Sequence, residues 1–400
     1  MTELVVMIKK ILTLIFTTIL VASAIFFIFK KPTADNEVVF WTLQMSDFAP
    51  YINGVIDDFE KDNPDIKIKW VDVPFSEGEK RTLASVLSDN PPDLVNLNPD
   101  FSATLAHKGA LWEIQKSELS QFNEEILKSL ETDGKMYSIP WYATSAITIY
   151  NKDLLSSVPK TYEQMANIAP NIRKKGAYIT LPNITENDTM LKILNKYPQD
   201  KKQFVFTMFK NLYSKDLIPK ETVTMTLQEA LEKYMSENIA LIGAGANFLN
   251  MIKENAPQTY SKTDVAQQLK GDLGQNDFSL MNFVIPLRAR HKEQALKFAL
   301  FLTNDKNQLE LAKLTNILAV NKQTLNNDFY KIYDNSDLMA KARVISAEQL
   351  NKLQPVFRTQ KNQKEINNLV NNAVQNILLN KGETEKILNE LDKNIKLLEK

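Results

Sequence analysis

The side chains of this 400-residue chain that are equipped to act on a ligand are rings and amides rather than nucleophiles. Trp141 and Tyr142 stand between two short extended runs. One is residues 136–140, after the turn signal Asp133-Gly134; the other is the β-branched run 146–150, which ends in Asn151-Lys152-Asp153. Each ring offers a flat apolar face and a polar tip, so the chemistry available there is stacking and hydrogen bonding. A strand that stops in one sheet and restarts in a second makes a natural hinge, because a few backbone torsions rotate everything beyond it. Covalent chemistry finds little support. The chain has no cysteine, which removes disulfides, thiolate metal sites, thiol nucleophiles and a lipid-modified N-terminal cysteine together. His107 and His291 each neighbour a lysine and read as surface residues. Gly243-Ala244-Gly245 lacks the third glycine and the later acidic residue of a dinucleotide loop; its simpler use is close backbone approach with amides at a helix start. With no nucleophile and base, metal cluster or phosphate loop, neither enzymatic activity nor a cofactor or metal is expected.

The elements that must position these groups follow from composition and period. Apolar residues make up 44% of the chain, enough for two cores, and 48 basic against 48 acidic residues leave no excess charge to hold nucleic acid. Residues 38–43, 66–73 and 92–97 read as strands, with helices over 46–60 and 79–88 between them, and such alternation predicts a parallel sheet. Ligands of open parallel sheets sit beyond the carboxyl ends of the strands, which places Trp41, Gln44, Asn98 and Asp100 at a cleft edge. Asp100 has a second reading as the cap of a helix beginning near Phe101. Trp70 and Trp112 read as core. Further on, residues 177–181 and 239–242 read as strands and 203–213 as a helix with Phe204, Phe206, Phe209 and Leu212 in its apolar set. A return strand over 280–287 precedes helices over 292–303 and 304–314, and two amphipathic helices separated by Lys381-Gly382-Glu383-Thr384 close the chain.

Asp133-Gly134-Lys135-x-Tyr137-x-Ile139-Pro140, followed by Tyr150-Asn151-Lys152-Asp153-Leu154-Leu155, resembles the first inter-lobe crossover of extracellular solute-binding proteins of bacterial importers, in their maltose-binding, carbohydrate branch. The helix start at residues 159–165, the strand and glycine-aromatic loop at 235–248, and the Ala295, Phe298, Leu302 block running to Val320 resemble the same family. The resemblance implies an α/β, two-lobed periplasmic-binding-protein-like (type II) fold, each lobe a mixed, mostly parallel sheet flanked by helices. Residues 36–143 and 282–320 would form lobe one, 144–281 and 321–400 lobe two, with hinges near Ala143, Asn282 and Asn321. It implies a small solute, most readily a carbohydrate, bound between the lobes. Trp41, Gln44, Asn98, Asp100, Trp141, Tyr142, Gly245, Asn247 and Phe248 are the expected contacts. The implied partners are the transmembrane subunits of an ABC permease, with the binding protein itself a monomer. Two departures stand out: Asn247-Phe248 where the family usually has tryptophan or another aromatic, and a polar stretch at 358–363 where it has a sugar-touching ring. A tethered sensory domain on the same fold, or a polyamine or ferric iron ligand held by Tyr137, Tyr142 and acidic groups, are the alternatives.

Residues 11–29 are apolar apart from Thr13, Thr17, Thr18 and Ser23, and at 1.5 Å per residue they span about 28 Å, close to the thickness of a bilayer core. Lysine pairs flank them, so charge alone does not orient the segment. We read it as an uncleaved signal anchor that holds the domain on the extracytoplasmic face of the membrane. The alternative is cleavage after Ala22-Ser23-Ala24, which would leave Ile25-Phe26-Phe27-Ile28-Phe29 on the mature end. N-terminal sequencing of membrane-extracted protein should therefore begin at the first residues; a start near Ile25 or Asp35 would rule the anchor out.

Overall fold

A computed structural model of the chain describes residues 36–184, 188–315, 317–351 and 362–398. The expected N-terminal anchor lies outside this range, as does the polar stretch at 358–363 apart from Asn362 and Gln363. Among the described residues no helix is long and apolar enough to cross a membrane.

The chain opens with β1 (Glu37–Leu43), whose alternating pattern buries Val38, Phe40 and Thr42 on one face. Helix α1 (Ala49–Asp62) has Pro50 in its first turn and buries Tyr51, Ile52, Val55, Ile56 and Phe59 at helical spacing. Strand β2 (Lys67–Val73) lies parallel to β1, paired from Glu37–Lys67 to Leu43–Val73. Helix α2 (Phe75–Val86) leads to β3 (Leu94–Leu97), four buried residues parallel to β1 on its other side. Asn98 then caps α3 (Pro99–His107), its Oδ1 accepting from the Phe101 amide at 2.8 Å. Asp100 lies inside the first turn of α3 and is not the cap.

Helix α4 (Glu124–Leu130) and the small hairpin β4 (Glu131–Thr132) and β5 (Lys135–Met136) precede β6 (Ser138–Asn151). Two strands were expected here. The structure has one of 14 residues. After it come helices α5 (Tyr162–Lys174), α6 (Thr189–Asn195), α7 (Lys202–Ser214) and α8 (Leu227–Met235), strand β7 (Leu241–Gly245), and helices α9 (Phe248–Asn255) and α10 (Pro257–Lys262). Strands β8 (Thr263–Gln267) and β9 (Phe278–Val284) lead to α11 (Lys292–Leu302), α12 (Asp305–Thr315), β10 (Leu318–Ala319) and α13 (Lys322–Leu325). Helices α14 (Leu338–Asn351), α15 (Gln363–Leu378) and α16 (Thr384–Leu398) complete the order.

The sheet runs β10-β6-β9-β3-β1-β2, with β7 and β8 on the far half of β6. The first half of β6 pairs with β9 as far as Ser145–Phe278, and from Ala146–Gly245 onward its partners are β7 and β8. Only β2-β1-β3 is parallel among the paired strands; every ladder of β6 is antiparallel. The sheet is therefore mixed but not mostly parallel, because β9 runs antiparallel to both β3 and β6. Residues 177–181 form no strand of their own. Tyr178 makes a single parallel bridge to Ile239.

Apolar side chains gather on either side of the changeover in β6. Around the first half, Phe40 meets Phe283 at 5.7 Å and Phe298 at 5.3 Å, and Phe298 meets Phe59 at 4.9 Å, all edge to face. Around the second half, α5, α6, α7, α15 and α16 pack together through residues such as Met165, Phe206, Phe209, Val374 and Leu388. Trp70 and Trp112 lie half-buried against the first core, as expected of packing residues. Trp141 corrects the cleft assignment: it is fully buried in the first core, stacked on Phe283 at 4.6 Å. The register of β6 explains this. It slips against β9 between Pro140 and Tyr142, and Trp141, at that irregularity, is enclosed by the core rather than facing a cleft. Gln308 of α12 donates to the Trp141 carbonyl and accepts from the Val320 and Asn321 amides at 2.8 and 3.1 Å, fixing that face of the strand. Trp141→Ala should cost about 3–5 kcal/mol of unliganded stability through the cavity it leaves. Urea unfolding of the ligand-free protein measures this, and a cost under about 1 kcal/mol would contradict a core role.

Candidate functional site

Where β6 and β9 pass between the two cores, a cavity of about 680 Å³ opens. Asn98, Pro99 and Asp100 at the start of α3 and Ser129 of α4 bound it on one side. Asp188, Lys192 and Asn195 around α6, with residues of α15 and α16, bound it on the other. The beginning of β9, Phe278 to Leu280, lies between. A second cavity of about 260 Å³ continues from it over β6 and β7, sharing Asp188, Lys192, Asp277, Phe278 and Ser279. Phe278 is the one aromatic common to both among the described residues.

The charges on these walls largely answer one another. Four aspartates (100, 188, 277, 392) and four lysines (192, 196, 202, 396) line the two cavities. Lys192 pairs with Asp188 at 3.0 Å, Lys196 with Asp277 at 2.7 Å, and Lys202 with Asp392. Lys196 is the unusual member, with a side chain only 1% exposed. An ammonium group has three donors. Here all three are met, by Asp277 Oδ2, by Gln268 Oε1 at 2.8 Å and by the Leu269 carbonyl at 3.0 Å, while the Tyr162 ring lies 5.6 Å away. Burial and the nearby Asp277 carboxylate push the Tyr162 phenol far above its ordinary pKa.

Gln268 carries the network onward. Its Oε1 accepts from the Asp277 amide at 2.7 Å and its Nε2 donates to the Asp277 carbonyl at 3.0 Å. Its backbone amide donates to Gln349 Oε1 of α14 at 2.7 Å, and Gln349 Nε2 donates to Ser145 Oγ and the Ala146 carbonyl at 2.8 and 2.9 Å. Ser145 and Ala146 are the two residues between which β6 changes partners. The cavity wall and the strand crossing are thus joined by one buried polar network.

Of the residues expected from sequence, Asn98, Asp100 and Gly245 line these cavities. Trp41, Gln44, Trp141, Tyr142, Asn247 and Phe248 line neither. Trp41 is half-buried on the helix-covered face of β1, with the Arg81 guanidinium 5.3 Å over its ring. Gln44 is exposed just past β1 with φ +52°. Tyr142 is half-buried against the first core, and that burial pushes its phenol up to about 12. Asn247 is exposed at the start of α9, and Phe248 packs against the core beneath β7. His291 is not the surface residue expected: its side chain is 13% exposed, with Nδ1 3.3 Å from the buried Asp93. Asp93 also accepts from the Val39, Arg290 and His291 amides, tying β1 to the loop before α11. Sequence reasoning missed Asp188, Lys192, Lys196, Gln268, Asn276, Asp277 and Phe278. The available signal was a lysine set among apolar residues in Ile193-Leu194-Asn195-Lys196-Tyr197, and a polar Asn276-Asp277 opening a buried strand.

A mixed sheet whose strands pass between two helix-covered cores, with a polar cleft at the crossing, is the architecture of the periplasmic-binding-protein-like fold. A periplasmic-binding protein from Synechococcus sp. MITs9220 superimposes with TM-score 0.80 at 25% identity, covering 89% of this chain and 97% of that one. A cyclo/maltodextrin-binding protein complexed with maltotetraose does so with TM-score 0.74 at 19% identity, over 92% and 98%. Residues 54–340 match the bacterial extracellular solute-binding proteins, and the chain belongs to that family. Maltodextrin-binding protein MdxE of Bacillus subtilis is 27% identical over 145 residues, 36% of this chain and only 34% of its own length.

Lys196→Met should destabilise the protein by about 3–5 kcal/mol, since it leaves the Asp277 carboxylate buried without its partner. Lys196→Met with Asp277→Leu should recover most of that loss. Urea unfolding of the two single variants and the double variant tests the coupling, and additive losses would show that the pair is not coupled.

Proposed function

We propose that the protein is the extracytoplasmic solute-binding component of a sugar ABC importer, taking a neutral sugar or oligosaccharide between two lobes and presenting it to a membrane permease. The observation that carries this reading is the balance of charge on the cavity walls, four acidic against four basic groups, six of them joined in three pairs. An ion would need uncompensated charge of the opposite sign. A polyhydroxylated neutral ligand needs hydrogen-bonding groups and a ring face, which Asn98, Asn195, Asn276 and Phe278 supply. Tyr137 and Tyr142 line neither cavity, which argues against their holding ferric iron there. The sugar-binding relatives and the maltotetraose complex support the same class of ligand.

We divide the lobes as residues 36–143 with 282–320, and 144–281 with 321–400. Leu325 and Tyr330 pack into the first core, so the first lobe extends slightly beyond residue 320. Closure would bring the start of α3 toward α6 and α16 across the cavity, with the pivot in β6 and β9. A thermal-shift panel of maltotetraose, smaller sugars, amino acids, spermidine and ferric citrate tests the ligand class. At about 100 times Kd a specific sugar should add about 2.7 kcal/mol of stability and raise Tm. A shift with spermidine or iron alone would overturn the sugar reading. With the sugar bound, small-angle scattering should give a smaller radius of gyration, and an unchanged profile would overturn the closure.

A further inference from the structure

The smaller cavity lies over a stretch of sheet with almost no side chains. In the β6–β7 ladder Thr148 stands opposite Gly243 and Ala146 opposite Gly245, so these four share one face. Their neighbours Ile147, Ile149, Ile242 and Ala244 point the other way into the core. Gly245 has a local reason to be glycine, because a Cβ there would run into the Asn247 side chain. Gly243 has none. Its φ is not positive, and a Cβ built on it would meet nothing within 4 Å. Glycine weakens a strand and gives nothing to pack, so a strand glycine required by neither conformation nor crowding points to close approach by something else.

We propose that Gly243 is a specificity-determining residue of the cleft: it keeps the smaller cavity open so that one ring of an oligosaccharide lies against the bare β6–β7 face, while the rest of the ligand occupies the larger cavity. Phe278, at the junction of the two, would stack on the ring that crosses between them. The Lys196–Asp277 pair borders the smaller cavity with its charge internally compensated, which suits a neutral ring. This inference rests on the sugar reading given above and narrows it to ligands longer than one unit.

The test is a series at one position, Gly243→Ala, Gly243→Val and Gly243→Leu in the full chain. Maltotetraose, or the panel sugar that most raises the wild-type Tm, is titrated calorimetrically beside unfolding of each ligand-free variant. Affinity should fall stepwise with side-chain volume, by roughly tenfold or more for leucine, the scale of displacing one well-seated group. The unliganded Tm should stay level or rise, because each substitution adds a side chain to a strand with room for it. Wild type should also bind the oligosaccharide more tightly than its single-ring unit. Affinity independent of volume, affinity that falls only where the unliganded Tm falls, or equal binding of the single ring would overturn the role of Gly243 and leave the sugar reading intact. Failure of every sugar to bind wild type would instead overturn the sugar reading, and this inference with it.

Discussion

One hydrogen-bond ladder changes partners in the middle of a strand, and the rest of the molecule is arranged around that change. Up to Ser145 the backbone of β6 is shared with β9 and β10; from Ala146 it is shared with β7 and β8. Backbone groups at such a junction cannot be left unpaired in a dry interior. The Ala146 carbonyl accepts from Gln349 Nε2, which also donates to the Ser145 hydroxyl, so this one side chain spans the gap between the two ladders. Each core is then free to pack its own helices on its own half of the strand, and the cleft is the space that two such packings leave between them.

The buried lysine belongs to the same arrangement. A charged group taken from water is costly, and Lys196 is tolerated because a carboxylate, an amide oxygen and a carbonyl receive its three donors. Two of those acceptors, Gln268 and Asp277, are themselves bound to each other through both backbone groups of Asp277. The geometry of the cavity wall is therefore fixed from behind, by contacts that a ligand does not make. A wall held in this way presents its polar groups without reorganising, which favours tight binding of a ligand that matches them.

The first three strands and most helices were legible because their signals are local: alternation in residues 38–43, helical spacing from Ile52 to Phe59, and the Lys381-Gly382-Glu383-Thr384 break before α16. The family was legible from short motifs at the crossing. Most of the candidate site was not. Whether Trp141 faces core or cleft depends on a register shift within β6 that the local sequence does not announce. Lys196 and Asp277 lie far apart in the sequence and meet only in the folded chain, so neither could be recognised as half of a buried pair. Asn98 and Asp100 were found because they follow the carboxyl end of a strand that reads clearly from its own residues, and Gly245 because a glycine set for close backbone approach leaves a mark in local sequence.

Helix α14 leans on both sides of the crossing at once: Ala347 and Leu350 pack into the first core and Ala342 into the cluster of Ile147, Ile149 and Ile242 on the second half of β6, while Gln349 bonds to the β6 crossing. The consequence is kinematic. Two bodies joined by one strand could bend, twist and slide; if the lobes proposed above are joined by neighbouring strands and this helix, they would keep a single easy freedom, rotation about the line of attachment. Such a joint would turn any gain of contact at the mouth of the cleft into motion along one arc, so open and shut positions would be two points on a track rather than two regions of a wider space.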